Sequence, residues 1–100
     1  MVFYAISKNN VSIRLSEERW AHILVGHAEL AEHQNKILEA ISSPEKIYDG
    51  NEGELLAIIT FDEKRKLVTV YKENNKDGFV ITAFITSKVH KLEKLKQLWP

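Results

Sequence analysis

The chain has 100 residues, of which 44% are hydrophobic and 28% are charged, and its sequence contains no cysteine. This composition is typical of a globular protein, and the length predicts one domain over residues 1–100. Without cysteine, a disulfide framework and a thiolate zinc site are excluded. The sequence shows neither a secretory signal nor an apolar run of roughly 20 residues, so we expect a soluble cytoplasmic protein without membrane contact.

Fourteen basic and fourteen acidic residues give a formal net charge of zero. A strongly basic nucleic-acid-binding protein would look different, because affinity for phosphate comes mainly from Lys and Arg. The segment SKVHKLEKLKQLWP, residues 87–100, nevertheless carries four lysines against Glu93, a local excess of three positive charges (4 − 1). A basic patch on a neutral protein is therefore compatible with the composition.

The first part of the chain predicts a β-hairpin followed by a helix. VFYAI (2–6) and VSIRL (11–15) read as short strands joined by the turn-rich SKNN. Ser16 is a favourable N-cap for a helix that places Trp20, Ile23 and Leu24 on one face. Gly26 offers a stop or a kink.

A second helix is predicted over residues 28–41, ended by the sequence Ser-Ser-Pro. Three strands follow, ELLAIITF (54–61), KLVTVYK (66–72) and FVITAFITS (79–87), and the turns DEKR and NNKDG between them indicate an antiparallel meander. A short amphipathic C-terminal helix would align Leu92, Leu95 and Trp99. The predicted fold is α+β, with N-terminal helices packed on an antiparallel meander of three to five strands.

Three of the four histidines fall within a dozen residues, in and after RWAHILVGHAEL (19–30). Two metal ligands on one helix normally lie three or four residues apart, whereas His22 and His27 are five apart and thus separated by about 140° around an unbroken helix. Glu29 and His33 have the i, i+4 spacing but share a polar face with Lys36. We therefore expect neither a metal site nor another cofactor.

Acid–base chemistry is the other role that histidines at this spacing could serve. An imidazole titrates near pH 6.5, so two of them beside a cation can cleave RNA without metal. The chain supplies His22 and His27 and, as cations and hydroxyls, Arg14, Arg19, Lys72, Tyr71, Thr82 and Thr86. The structural alternative for His27 is a packed histidine at a helix end, where it needs a hydrogen-bond partner.

Two threonines of the last predicted strand form a second candidate group. Alternation along the strand places Thr82 and Thr86 on one face with Val80 and Phe84. Such hydroxyls could donate to a phosphate along a groove, or they could simply reflect the preference of threonine for strands. The pattern leaves both interpretations open.

The order of these motifs resembles the small phage-associated nuclease-like domains of the barnase–EndoU–colicin–RelE superfamily. The likeness covers residues 13–88 and rests on IRLSEERWAHILVGHAEL, ISSPEKIY, VTVYK and VITAFITSK. Members tend to carry Trp-x-His-Ile, matched here by Trp20, His22 and Ile23, and a His-Pro-Glu step, where this chain has His27, Ala28 and Glu29. The superfamily implies metal-independent ribonucleases, many of them toxins.

Carried over by position, the resemblance implies that His22 and His27 supply the acid–base group and that Glu29 orients one of them. It also implies that Thr82 and Thr86 contact phosphate, with Lys72 as the candidate cation. The leading hypothesis is thus a toxin-like endoribonuclease acting on RNA, with a cognate antitoxin as a further partner.

The rival hypothesis is a non-catalytic protein-binding module or partner subunit. It would be held through the last helix, an edge strand and Trp99, in a homodimer or with another protein, because aromatic residues often dominate interfaces.

Overall fold

The computed structural model describes residues 2–100 and has the predicted α+β class. Its helices are α1 (Glu17–Gly26), α2 (Gln34–Ser42) and the short α3 (Val89–Leu92), with a 3-10 turn at Ala28–Leu30. The strands in chain order are β1 (Val2–Ile6), β2 (Ser12–Ser16), β3 (Lys46–Asp49), β4 (Leu55–Thr60), β5 (Lys66–Asn74), β6 (Asp77–Thr86) and β7 (Gln97–Trp99).

Within these residues all seven strands form one sheet in the order β1-β2-β6-β5-β4-β3-β7. The predicted hairpin β1–β2 and the predicted meander β4–β5–β6 are confirmed, and both are antiparallel. The sheet is larger than the sequence predicted because the short strands β3 and β7 extend it beyond β4. Only the pairing of β2 with β6 is parallel among the described strands, and it joins the hairpin to the meander.

The inner face of the sheet carries the main core, covered by α1 and α2. Ile13, Leu15 and Leu67 are fully buried there and pack with Ile23 of α1 and Ile37 of α2. Each such aliphatic side chain contributes about 1.5–3 kcal/mol when it leaves water. The predicted apolar side of α1 is confirmed, since Trp20 and Leu24 also pack against this core.

One buried hydrogen bond fixes α2 on the sheet. The hydroxyl of Thr69, on β5, donates to the backbone carbonyl of Ile37 at 2.9 Å, and Thr69 is fully buried. A buried hydroxyl without a partner would be costly, so this bond sets the position of α2 along β5.

The outer face of the sheet is divided into a covered half and an open half. Over β3, β4 and β5, the side chains of Tyr48, Ile58 and Val68 pack beneath Leu92 of α3, with Leu95 beside them. Over β1 the outward-facing side chains, among them Tyr4, are exposed, and on β2 Arg14 is exposed between the half-buried Ser12 and Ser16. We call the outer surface of β1, β2 and β6 the open face; at its border, Ile81 and Phe84 of β6 pack against the covered half.

The β1–β2 turn reaches across the inner side to other strands of the sheet. The carboxylate of Glu73, at the end of β5, accepts hydrogen bonds from the Ser7 hydroxyl and from the Asn9 side-chain amide, the latter at 2.9 Å. The ammonium of Lys8 lies 4.8 Å from the ring centroid of Trp99 on the opposite edge strand. The sheet is therefore strongly curled around α2.

The local start and end of α1 follow the sequence. The Ser16 hydroxyl accepts a hydrogen bond from the backbone N–H of Arg19 at 3.0 Å, as an N-cap does, and the helix ends at Gly26. The helix predicted over residues 28–41 is wrong in its first half. There the chain bends through the 3-10 turn, which buries Leu30 completely and packs His33 edge-on against Phe61, before α2 begins.

Two further details of the sequence prediction are corrected. Trp99 does not continue a C-terminal helix. It lies in β7 and pairs with Ile47 of β3, because an added edge strand satisfies backbone groups that a frayed helix would leave exposed. On β6, an irregularity opposite Val70 and Tyr71 adds one residue, so Val80 faces the inner core whereas Thr82 faces outward.

No helix within residues 2–100 combines the length and the apolar character that crossing a bilayer demands.

We expect Gly78→Ala to destabilise the fold by about 1–3 kcal/mol or more, because an added Cβ would lie 2.2 Å from the Lys72 carbonyl oxygen. Gly26→Ala is the matched control, since a Cβ there meets nothing within 4 Å, and it should leave stability unchanged or raise it by up to about 1 kcal/mol. Urea denaturation of both variants measures the difference. Equal stability of the two would show that β6 does not need the close approach at Gly78.

Candidate active site

His27 lies at the rim of the open face, where α1 ends. Its backbone N–H donates to the Ile23 carbonyl at 2.8 Å, which makes it the residue that caps α1. Its side chain is 38% exposed, and its ring centroid is 6.4 Å from that of Phe84 on β6. The imidazole is therefore partly packed and partly accessible, as a group that exchanges protons with a bound substrate needs to be.

Glu29 is brought close to this imidazole by the 3-10 turn. Its Oε2 lies 3.6 Å from Nδ1 of His27, which is ion-pair range for a protonated ring and longer than a hydrogen bond. A carboxylate on the Nδ1 side can orient the ring and leaves Nε2 free to meet a substrate. The predicted partnership of Glu29 with one of the histidines thus has a geometric basis at His27.

Thr82 and Thr86 flank Phe84 on the outward side of β6. Residues two apart on a strand lie about 7 Å from each other, so both hydroxyls fall near the ring that His27 contacts. The Thr86 hydroxyl accepts a hydrogen bond from the backbone N–H of Lys88 at 3.0 Å and keeps its own proton to donate. Strand spacing thus sets Thr82 and Thr86 on either side of the ring beside His27, and we call His27, Glu29, Thr82 and Thr86 the rim cluster.

His22 stands apart from the rim cluster. It is exposed on α1 and lines a shallow groove with Ser16, Glu18 and Arg19. Because α1 is continuous from Glu17 to Gly26, His22 and His27 leave the helix in different directions. No ring contact or ion pair joins them within the described residues, and a shared role for the two stays a prediction.

Lys72 also lies away from the rim cluster. It pairs with Phe79, five residues before Phe84 on β6, and its side chain passes close to Gly53 in the β3–β4 loop. At about 3.3 Å per strand residue, this places it roughly 16 Å from Phe84 along β6. Lys72 could contact a substrate that spans the open face, but at a distance from the group that His27 would serve.

Tyr71 is removed from the set of candidate hydroxyls. Its ring is fully buried in the inner core, and its hydroxyl makes no hydrogen bond within residues 2–100. Burial raises the pKa of the Tyr71 phenol above its ordinary value, and the negative charge of Glu73 raises it further. The phenol is thus held neutral and out of reach of any substrate.

Lys66 neighbours Thr86 across the sheet, but its charge is already compensated. Its ammonium lies 3.1 Å from Oε1 of Glu45 and donates to the Thr60 hydroxyl at 2.8 Å. Partial burial acts to raise the pKa of Glu45, yet the hydrogen bonds from Thr60 and the bond and charge of Lys66 outweigh it and hold that pKa below its usual range. Exposed Lys88 is therefore the cation nearest to Thr86 in sequence that is free of such a partner in the described structure.

The contact between His27 and Phe84 is the part of the site that sequence reasoning missed. Alternation along β6 places Phe84 between the two threonines, but nothing local indicates that α1 runs beside this strand. Among residues 2–100 no three His, Asp or Glu side chains gather in a way that could hold a metal ion.

Comparisons with family models, with curated proteins and with solved structures find no match for this chain. The resemblance to the barnase–EndoU–colicin–RelE superfamily stays a prediction from the quoted motifs.

The hydrogen bonds and ion pair that join Glu45 to Thr60 and Lys66 predict a contribution to stability that depends on pH. Since the folded-state pKa lies below the unfolded value of about 4.5, the contribution is present above that pH and is lost as the pH falls further. Glu45→Gln should therefore unfold at a lower temperature than the wild type at pH 7, with the difference shrinking towards pH 3. Glu32→Gln, in an exposed turn, is the control; an equal gap at both pH values would contradict the assignment.

Tyr71→Phe should leave stability unchanged or raise it by about 1 kcal/mol, because the change removes a buried hydroxyl without a partner. Chemical denaturation with wild type and variant measures the free energy of unfolding. A loss of more than about 1 kcal/mol would mean that the hydroxyl makes a stabilising hydrogen bond.

Proposed function

We propose that the protein is a metal-independent, toxin-like endoribonuclease that acts in the cytoplasm and cleaves RNA through attack by the 2′-hydroxyl. The observation that carries this proposal is the rim cluster, in which His27, backed by Glu29, faces the hydroxyl-bearing side of β6 at the border of an open sheet surface. The superfamily resemblance of the motifs around His27 and Thr82 adds support.

In the proposed reaction, the 2′-oxygen attacks the adjacent phosphorus while the bond from phosphorus to the 5′-oxygen breaks. His27 accepts the 2′-hydroxyl proton or donates a proton to the departing 5′-oxygen, and a second group performs the other transfer. The products are a 2′,3′-cyclic phosphate and a 5′-hydroxyl, so atoms and charge balance without a further reactant. The sequence suggests His22 for this second group, but His22 stands apart from the rim cluster, so the group nearest to His27 in the site is the Thr82–Thr86 side of β6.

Charge on the phosphate increases in the transition state, and the site offers donors for it. The hydroxyls of Thr82 and Thr86 can donate to non-bridging oxygens, and the ammonium of Lys88 belongs to the residue two positions after Thr86. Further exposed lysines of the C-terminal segment supply a local positive field on a neutral chain: Lys91, Lys94 and Lys96. This local charge is the kind of field that recruits an RNA backbone.

A second candidate function is that of a protein-binding subunit, a homodimer or the partner of another chain. The observation that favours it is edge strand β1, which has no charged residue and exposes Val2, Tyr4 and Ile6 on the open face. Such an edge is open to pairing with another strand. Trp99 is less available for this role than the sequence suggested, because it is half-buried and lies beneath Lys8.

The first function is tested by cleavage of mixed-sequence RNA in EDTA. His27→Ala should reduce the rate by about 10²–10⁴-fold, the contribution typical of one well-placed acid or base, and the wild-type products should end in 2′,3′-cyclic phosphate. Glu29→Gln should cause a smaller loss.

His90→Ala, which changes an exposed histidine on α3, is the matched control and should cleave at the wild-type rate. His22→Ala, in the same assay, tests whether His22 takes part in the reaction. Full activity in folded His27→Ala protein would remove His27 from the mechanism, and cleavage lost in EDTA but restored by a metal would refute the metal-independent reaction.

A further inference from the structure

Three outward-facing residues lie side by side across the open face. Tyr4 of β1 pairs in register with Arg14 of β2, and Arg14 pairs with Phe79 of β6. Residues in register on neighbouring strands share a face and are separated by about 4.8 Å per strand. Tyr4, Arg14 and Phe79, which we call the open-face row, therefore place a cation between two aromatic residues whose backbone positions are roughly 10 Å apart.

The open-face row has interaction capacity that the fold does not use. Tyr4 is 59% exposed, Arg14 is exposed and Phe79 is half-buried. Neither the Tyr4 hydroxyl nor the Arg14 guanidinium makes a side-chain hydrogen bond, and Arg14 makes no ion pair, within residues 2–100. An arginine whose planar donor group is unpaired beside two rings is suited to bind phosphate or to stack.

We propose that the open-face row is a binding subsite for single-stranded RNA, an inference that rests on the proposed ribonuclease function. Tyr4 and Phe79 each stack one base, and Arg14 contacts the phosphate between them. Single-stranded RNA bound on sheet surfaces is commonly held in this way, because an unstacked base offers a flat face to an aromatic ring.

Single strands fit this row, whereas a duplex does not. In a duplex the base faces are already stacked on each other, so rings on an open sheet could not reach them. The charges along the row are also complementary to a nucleic-acid backbone, since Lys72 extends the row beyond Phe79.

A carboxylate on the open face sets the direction in which a bound RNA strand would run. Asp77, at the start of β6, pairs with Ser12 and lies one outward position before Phe79. Its negative charge would repel a backbone that continued past it. An RNA strand would therefore run from the open-face row in the other direction along β6, over roughly 16 Å, to Phe84 and the rim cluster.

The test uses a fluorescent, single-stranded 2′-O-methyl RNA, which lacks the attacking hydroxyl and so reports binding without cleavage. Tyr4→Ala and Phe79→Leu should each weaken binding by about tenfold, whereas Tyr4→Phe, which keeps the ring, should bind as the wild type does. Arg14→Ala should also weaken binding and should lower the slope of log affinity against log salt by about one. The duplex form should bind more weakly than the single strand.

The matched controls change exposed residues away from the open face: Lys36→Ala on α2 and Val25→Ala on α1. Thermal unfolding confirms that each variant is folded, and light scattering gives its molar mass. Wild-type binding by Tyr4→Ala and Phe79→Leu would overturn the subsite. So would a wild-type dimer that these changes dissociate without affecting RNA binding, because the row would then be an interface between copies.

The two proposals can fail separately. A protein that binds the 2′-O-methyl strand through the open-face row but cleaves no RNA would keep the subsite and refute the ribonuclease. A protein that cleaves RNA through His27, but binds equally well after the row is changed, would keep the ribonuclease and refute the subsite.

Discussion

The parallel pairing of β2 with β6 is the contact on which the arrangement of the site depends. It covers three residue pairs, from Ser12 with Asp77 to Arg14 with Phe79. β2 then ends, whereas β6 continues to Thr86, and α1 follows β2 directly and contacts the remainder of β6. The same pairing thus sets Arg14 beside Phe79 and brings the end of α1, with His27, to Phe84.

The outer sheet face divides into a half that is buried by the fold and a half that we propose binds RNA. Over the covered half, Leu92 and Leu95 bury the outward side of β3, β4 and β5, so this half contributes to the free energy of folding. The open half keeps aromatic and cationic side chains in contact with water, which gains the fold little. Exposed Tyr4 and half-buried Phe79 lie there beside Arg14, and this is the surface that we propose single-stranded RNA covers.

Much of the fold could be predicted because its signals are local. Ser16 was predicted as an N-cap and caps α1, and Gly26, predicted as a stop or a kink, is the last residue of that helix. The rest depends on contacts distant in sequence. The helix expected from Ala28 gives way to a turn because Leu30 must reach the core, and one extra residue on β6 reverses the side on which Val80 lies.

The candidate site also has a part that local sequence predicts and a part that it does not. Glu29 follows His27 by two residues, so their proximity could be anticipated from the sequence. In the structure His27 Nδ1 and Glu29 Oε2 are 3.6 Å apart. The approach of His27 to Phe84 and the row of Tyr4, Arg14 and Phe79 could not, because both arise from strand order, which composition and periodicity do not encode. The most direct test of RNA binding at the open-face row and His27 is a ¹⁵N NMR titration with single-stranded 2′-O-methyl RNA. We predict that backbone signals of Arg14 and Phe79 and the ring nitrogens of His27 shift together, saturating at one RNA concentration. Shifts confined to the C-terminal lysines, with Arg14, Phe79 and His27 unchanged, would contradict it.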